Sequence, residues 1–235
     1  MKRFIFLFII QLLSVFVSFA QTSADYKLKI QDFNDLTVVD GINVNCYCRP
    51  DSAGWAVFSC APELASQIMF TNKAERLSIR TAADEAPIDG MPTVTVYCTV
   101  LAKVENSGDS LTRVFDVPEV KDFKCRQIGN GKLEVHGVNA ANLDAGITAG
   151  KGTLYIKGEA NKAKYSNVSS GKLDASDVST VYVNTFVFGT GDIYCTPVER
   201  LRIYGAGTGQ VLYTGNIEKI TNRSIGVKAV QYNKE

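Results

Sequence analysis

The sequence predicts an all-β protein: a right-handed parallel β-helix, a solenoid with rungs of about twenty residues and a less regular N-terminal part. Three observations predict it. Glycine turns return at a nearly constant interval through the second half of the chain. Short strands of alternating apolar and polar residues flank them, and helix signals are nearly absent there.

The turns come first. Gly131, Gly152, Gly171, Gly191 and Gly209 each open a Gly-x-apolar-x-apolar pattern or a near variant, as in Gly152-Thr153-Leu154-Tyr155-Ile156. Their successive intervals are 21, 19, 20 and 18 residues. Gly129, Gly150, Gly189 and Gly207 stand two residues ahead of four of them, and Ser169 takes that place before Gly171. A second alternating strand precedes each turn, starting at Phe123, Leu143, Ala163, Val181 and Leu201, at intervals of 20, 20, 18 and 20. Each unit therefore reads strand, glycine turn, strand, turn.

Strands this short cannot bury an apolar face alone, so the units must stack, with hydrogen bonds between coils about 4.8 Å apart. Stacking predicts two inward columns: Leu133, Leu154, Leu173, Ile193 and Val211 in one, and Val135, Ile156, Ala175, Cys195 and Tyr213 in the next. The glycines fall at corners, where a tight bend requires φ values that a β-carbon disfavours. A β-sandwich shows turn signals roughly every 8–12 residues and a propeller repeats about every 40–45. Neither explains the return of the same turn chemistry at twenty.

Residues 26–122 are strand-rich but looser. Ile42, Val44, Cys46 and Cys48 alternate with Asn43, Asn45, Tyr47 and Arg49, a half-buried strand. Residues 55–60, 77–80 and 93–100 read as further strands. Pro62-Glu63-Leu64 opens a single helical turn, with Pro62 tolerated at its start, and residues 82–91 are a polar loop. The turn Asn106-Ser107-Gly108-Asp109 lies 23 residues before Gly131, so the repeat reaches back that far. No low-complexity linker divides the halves. Residues 33–230 therefore read as one domain, the first part capping or extending the solenoid against edge pairing. Residues 21–32 form an N-terminal segment before it.

Residues 1–20 have the layout of a secretory signal peptide: Lys2 and Arg3, an apolar stretch over 4–16, and Ser18-Phe19-Ala20 ahead of a cut before Gln21. That stretch is shorter than the roughly 20 residues of a membrane span, and no second one follows. The mature chain is expected to be exported, without a membrane span, to the periplasm, the outer-membrane surface or the extracellular space.

The formal net charge is +1, and no basic run is interleaved with aromatics, so a nucleic-acid partner has no electrostatic footprint. The cysteines at 46, 48, 60, 98, 125 and 195 all lie in alternating apolar stretches, where a thiol serves as a small buried hydrophobe. An even count in an exported chain also admits disulfides, and a bridge involving Cys46, Cys48 or Cys60 stays open. No Cys-x-x-Cys pair exists and His136 is the single histidine, so no metal site is expected. Only Gly191-Asp192 places an acid after the repeat glycine, which excludes a calcium roll.

The outward positions three residues after each repeat glycine are Glu134, Tyr155, Asp174, Tyr194 and Leu212. Glu134 and Asp174 are two coils apart, about 9.6 Å, near the upper end of an inverting glycosidase pair at roughly 6.5–9.5 Å. A carbohydrate-active enzyme, a polysaccharide lyase or glycoside hydrolase on a β-helix, is therefore one reading. The other is a solvated face of mixed polar residues, in which a tyrosine column serves as a sugar-stacking surface or a good strand former. The preferred expectation is a non-enzymatic binding scaffold. Its candidate binding column is Glu134, Tyr155, Asp174 and Tyr194, its expected partner a glycan or another envelope component, and it needs no catalytic residue and no cofactor. Oligomeric state is not legible.

Several short motifs, by their order and spacing, resemble the head GIN domain family of exported bacterial proteins, common in Bacteroidetes and described as auto-transporter adhesins. They are Gly41-Ile42-Asn43-Val44 on the first strong strand and the two-part turn Gly189-Thr190-Gly191-Asp192. Asn106-Ser107-Gly108-Asp109 is a decayed copy of that turn, and Pro62-Glu63-Leu64 is similarly placed after a strand. The resemblance spans residues 33–230 and implies a β-helical fold, an envelope or surface location and no catalytic residues. Ser169-Ser170-Gly171 and the richness in cysteine depart from the pattern, leaving the turn geometry at Ser169 open.

Overall fold

The computed structural model describes residues 23–82 and 89–233, so the expected signal peptide and the centre of the 82–91 loop lie outside the described residues. The chain forms one 17-stranded sheet wound into a β-solenoid of about six turns with rungs about 20 residues apart. The looser first half contains β1 (Ala24–Lys29), β2 (Asp35–Val39), β3 (Val44–Cys48), β4 (Trp55–Cys60), a one-turn helix α1 (Pro62–Ala65), β5 (Ile68–Lys73), β6 (Arg76–Thr81), β7 (Val94–Cys98), β8 (Lys103–Ser107) and β9 (Leu111–Phe115). The regular half contains β10 (Val120–Ile128), β11 (Lys132–Ala149), β12 (Thr153–Asn167), β13 (Lys172–Gly189), β14 (Asp192–Gly207), β15 (Gln210–Tyr213), β16 (Lys219–Ile225) and β17 (Lys228–Gln231).

Each rung has an upstream strand segment before the glycine corner and a downstream segment after it. β11 to β14 run through a bend, so each supplies the downstream segment of one rung and the upstream segment of the next. The expected column exists. Leu133, Leu154, Leu173, Ile193 and Val211 are register partners through successive parallel pairs, and all five are fully buried. The second column is continuous except at one place. Val135 faces Ile156, and Ala175 faces Cys195 and then Tyr213, but the register between β12 and β13 shifts after Tyr155.

In the first half, stacking order departs from chain order. β2 pairs with both β6 and β8, and β3 with both β7 and β9, all in parallel. The earliest rung is therefore an inner layer, held between rungs that come later in the chain. The expected cap is built outside it from antiparallel strands: β5 pairs with β6, β4 with β7, and β1 with β4. At the other end, β16 and β17 form the last rung, where outward Lys219, Arg223 and Lys228 discourage edge-to-edge addition.

The corners show why glycine recurs in pairs. The first of a pair takes the left-handed conformation, as at Gly129 (φ +94°) and Gly150 (φ +84°). The second has a different cause. A Cβ on Gly171 would lie 2.3 Å from the Gly152 carbonyl oxygen, and one on Gly191 the same distance from that of Gly171. Close stacking constrains the first of a pair as well, since a Cβ on Gly150 would lie 2.3 Å from the Gly129 carbonyl oxygen, so bend geometry is an added demand on the first and stacking alone explains the second. At Ser169, Asn167 Oδ1 accepts from the Ser169 hydroxyl at 2.7 Å, and Gly171 N donates to Ser169 Oγ at 3.0 Å. Asn167 is fully buried, and its Nδ2 donates to the Gly171 carbonyl at 2.8 Å, satisfying groups that the sharp turn leaves unpaired.

All six cysteines are free and buried. Three come together across neighbouring rungs: Cys98 Sγ lies 3.9 Å from Cys46 Sγ and 3.8 Å from Cys48 Sγ. Burial pushes the Cys125 and Cys195 thiols up to about 12.

Candidate functional site

The downstream face carries the column read from the sequence. Arg113, Glu134, Tyr155, Asp174, Tyr194 and Leu212 are consecutive register partners pointing outward, on segments whose alternate residues fill the core. The column's charges are engaged with one another. Glu134 accepts from Arg113 Nε at 2.8 Å and pairs with Lys132 Nζ at 2.6 Å. Partial burial would raise its pKa, but those two cations outweigh it and hold the carboxyl below the ordinary range. Asp174 accepts from Ser176 Oγ at 2.7 Å and pairs with Lys172 Nζ at 3.0 Å. These contacts overcome its burial, and its pKa is lowered too.

The tyrosines are similarly occupied. The Tyr155 hydroxyl donates to Asp177, which with burial pushes its pKa up to about 12. Lys172 Nζ sits 4.3 Å from the centre of the Tyr194 ring, and Tyr232 meets that ring edge-on.

Beside this column runs an aromatic ladder that reading the sequence in chain order conceals. Tyr97 stacks on Tyr47 at 5.9 Å, Tyr47 on Phe115 at 4.8 Å, and Phe115 on His136 at 5.2 Å with planes 7° apart. Tyr155 follows, tilted, at 5.6 Å. The rings face one another along the solenoid axis, so their flat faces are largely consumed within the ladder. His136 is one of its steps and lies 3.7 Å from Glu134.

The upstream face is organised differently. Asp122, Asn142, Lys162, Tyr182 and Arg200 form one outward column, and Lys124, Asp144, Lys164, Asn184 and Arg202 the next. Two adjoining depressions of about 480 and 410 Å³ lie between these columns and share Lys162 and Asn184 in their walls. They make one groove along the solenoid axis, with Phe123, Leu143, Ala163 and Val183 in its lining. At the end nearer β10 each acid has a partner: Arg126 forms an ion pair with Asp144 at 2.7 Å, and Asn142 donates to Asp122 at 2.8 Å. Towards β14 the groove is cationic. Lys162, Lys164, Arg200 and Arg202 form no ion pair among the described residues. Lys164 Nζ lies 5.3 Å from the Phe186 ring centre, and the Arg200 guanidinium 5.7 Å from that of Tyr182. The fold thus gathers a basic, aromatic-flanked strip from residues that form no basic run in the sequence.

Among the described residues no His, Cys, Asp and Glu cluster could hold a metal ion, and no helix is long and apolar enough to cross a membrane.

Comparison with known proteins agrees with this architecture. The crystal structure of a "putative adhesin" from Bacteroides fragilis is similar with a TM-score of 0.80 at 15% identity, covering 91% of this chain and 98% of that one. A "putative lipid binding protein" from Parabacteroides distasonis gives 0.70 at 15% identity, over 90% and 98%. A "putative adhesin" from Parabacteroides merdae gives 0.66 at 18% identity, over 91% and 98%. These likenesses show the shared fold. Among curated proteins no match is found. The family model described as "Putative auto-transporter adhesin, head GIN domain" matches residues 32–216, and the chain belongs to that family.

Proposed function

We propose that the protein is an exported, non-enzymatic adhesin that presents the outer surface of its solenoid to a glycan or another cell-envelope component. One observation carries the reading: outward side chains stand in straight columns on strands whose alternate residues form a continuous, fully buried apolar core. Groups fixed in this way lose little freedom on binding. In this reading Glu134, Tyr155, Asp174 and Tyr194 supply a polar ridge, and the secretory-type N-terminus delivers the chain to the envelope. The lipid-binding description of the Parabacteroides distasonis neighbour supports an envelope ligand in general terms.

The carbohydrate-active enzyme is the weaker reading. A group that protonates a leaving oxygen needs a raised pKa. Glu134 and Asp174 are both held low by cations of their own face. The test is a glycan array and pull-down from envelope fractions with the purified exported protein, where saturable binding is expected. Absence of binding would contradict the proposal. So would release of reducing or unsaturated ends from a polysaccharide panel, lost on Glu134→Gln or Asp174→Asn.

A further inference from the structure

From the upstream groove we infer that the ligand is an anionic polysaccharide, one carrying carboxylate, sulfate or phosphate groups, gripped at Lys162, Lys164, Arg200 and Arg202. The inference rests on the reading of the chain as a binding scaffold, names the ligand class, and places the ligand's charged groups in this groove rather than on the Glu134–Tyr194 column.

Geometry supplies the first argument. Lys162 and Lys164 are alternate residues of one strand segment, and so are Arg200 and Arg202, giving about 6.7 Å between neighbours. The two pairs are two rungs apart, about 9.6 Å. Four cations therefore mark the corners of a rectangle, with Tyr182 and Asn184 at its middle as neutral hydrogen-bonding groups. Nearby, Glu199 is engaged by the Tyr182 hydroxyl.

Electrostatics supplies the second. Glu134 and Asp174 on the downstream face each have a cation within 3.0 Å, whereas these four cations have no carboxylate partner among the described residues. Packing against Phe186 and Tyr182 holds Lys164 and Arg200 at the groove without neutralising them. Unpaired positive charge in a partly walled groove raises the local concentration of anions.

Shape supplies the third. The groove runs along the axis across successive rungs, and a linear chain with repeated anionic groups can follow it. Of the exposed apolar residues that could enter a lipid surface, Val168, Phe188 and Ile225 lie beyond the Lys164–Arg202 column, while Val198 and Ile220 stand beside the groove's Arg200 end, outside its lining. Arginine suits the bidentate grip on carboxylate or sulfate.

The test compares the full exported protein with Lys164→Glu/Arg202→Glu and with Lys157→Glu/Lys228→Glu, which changes net charge equally but away from the groove. Probes are polygalacturonate, dextran sulfate, neutral dextran, duplex DNA and vesicles of phosphatidylcholine with phosphatidylglycerol. Expected are binding to one or both acidic polysaccharides and none to dextran. The groove variant should lose binding at least about tenfold while the control keeps it, and affinity should fall at least about tenfold between about 0.05 and 0.5 M salt. Equal losses in both variants would overturn the inference, as would vesicles or DNA binding more tightly than either polysaccharide. Undiminished capture of envelope glycans by the groove variant would overturn it while leaving the adhesin reading intact. If wild type binds neither the probes nor envelope material, both fall.

Discussion

The upstream and downstream faces share one backbone, one core and one set of corners, yet they use charge in opposite ways. Downstream, Glu134 and Asp174 meet Arg113, Lys132 and Lys172 across and along the strands, and the aromatic rings stack on one another. Upstream, in the rungs of β12 to β14, Lys164 and Arg200 pack on rings, and none of the four cations has an ion-pair partner among the described residues. The difference teaches that the repeat fixes where a column runs, while residue choice within it decides whether a charge serves the fold or stays available to a ligand.

The largest effect should come from the corner that joins the two faces. In Gly191→Ala the new Cβ would fall 2.3 Å from the Gly171 carbonyl oxygen and 2.5 Å from Asn167 Nδ2. Urea unfolding should show a loss on the order of 4 kcal/mol or more. A near-neutral result would mean that the rungs are farther apart than described. Next is the core beneath both faces, where Leu154→Ala should cost about 2–5 kcal/mol by the same measurement.

Acid then separates the faces. Glu134 and Asp174 have folded pKa values below their unfolded ones, so their stabilising contribution is present at neutral pH and is lost as pH falls through the folded values. Thermal stability of the wild type should decline from about pH 5 downward, and Glu134→Gln/Asp174→Asn should flatten that decline. An unchanged pH profile would show that these pairs contribute nothing. The smallest effect is expected from alkylation at pH 8, which should leave the buried Cys125 and Cys195 untouched until the protein unfolds, since burial raises both thiols to about 12.

Much of the regular half was legible because two periods coincide there. Alternation tells inward from outward, and the twenty-residue return tells which inward residue lies above which. Leu133 to Val211 and Glu134 to Tyr194 followed directly. The stacking order of β2 and β3 was not legible, since an alternating strand looks the same whichever neighbours flank it. The Tyr97–Tyr47–Phe115 ladder was hidden with it. The cationic groove has a signal of the same kind, since Lys162 and Arg200 are separated by 38 residues, two rungs, but it shows only when the upstream outward positions are aligned as columns too. The register shift after Tyr155 changes the offset between rungs from 19 residues (Tyr155 to Asp174) to 20 (Lys157 to Asp177), a step no larger than the variation among the glycine intervals themselves.

The most direct test of the division between the faces is a side-by-side thermal melt of two charge-removing variants at neutral pH. Glu134→Gln/Asp174→Asn breaks contacts internal to the downstream face and should lower stability by about 1–2 kcal/mol. Lys164→Gln/Arg202→Gln removes cations without ion-pair partners and should stay within about 0.5 kcal/mol of wild type. The reverse ranking would contradict the account, placing the structural charges on the groove side and the free ones on the other.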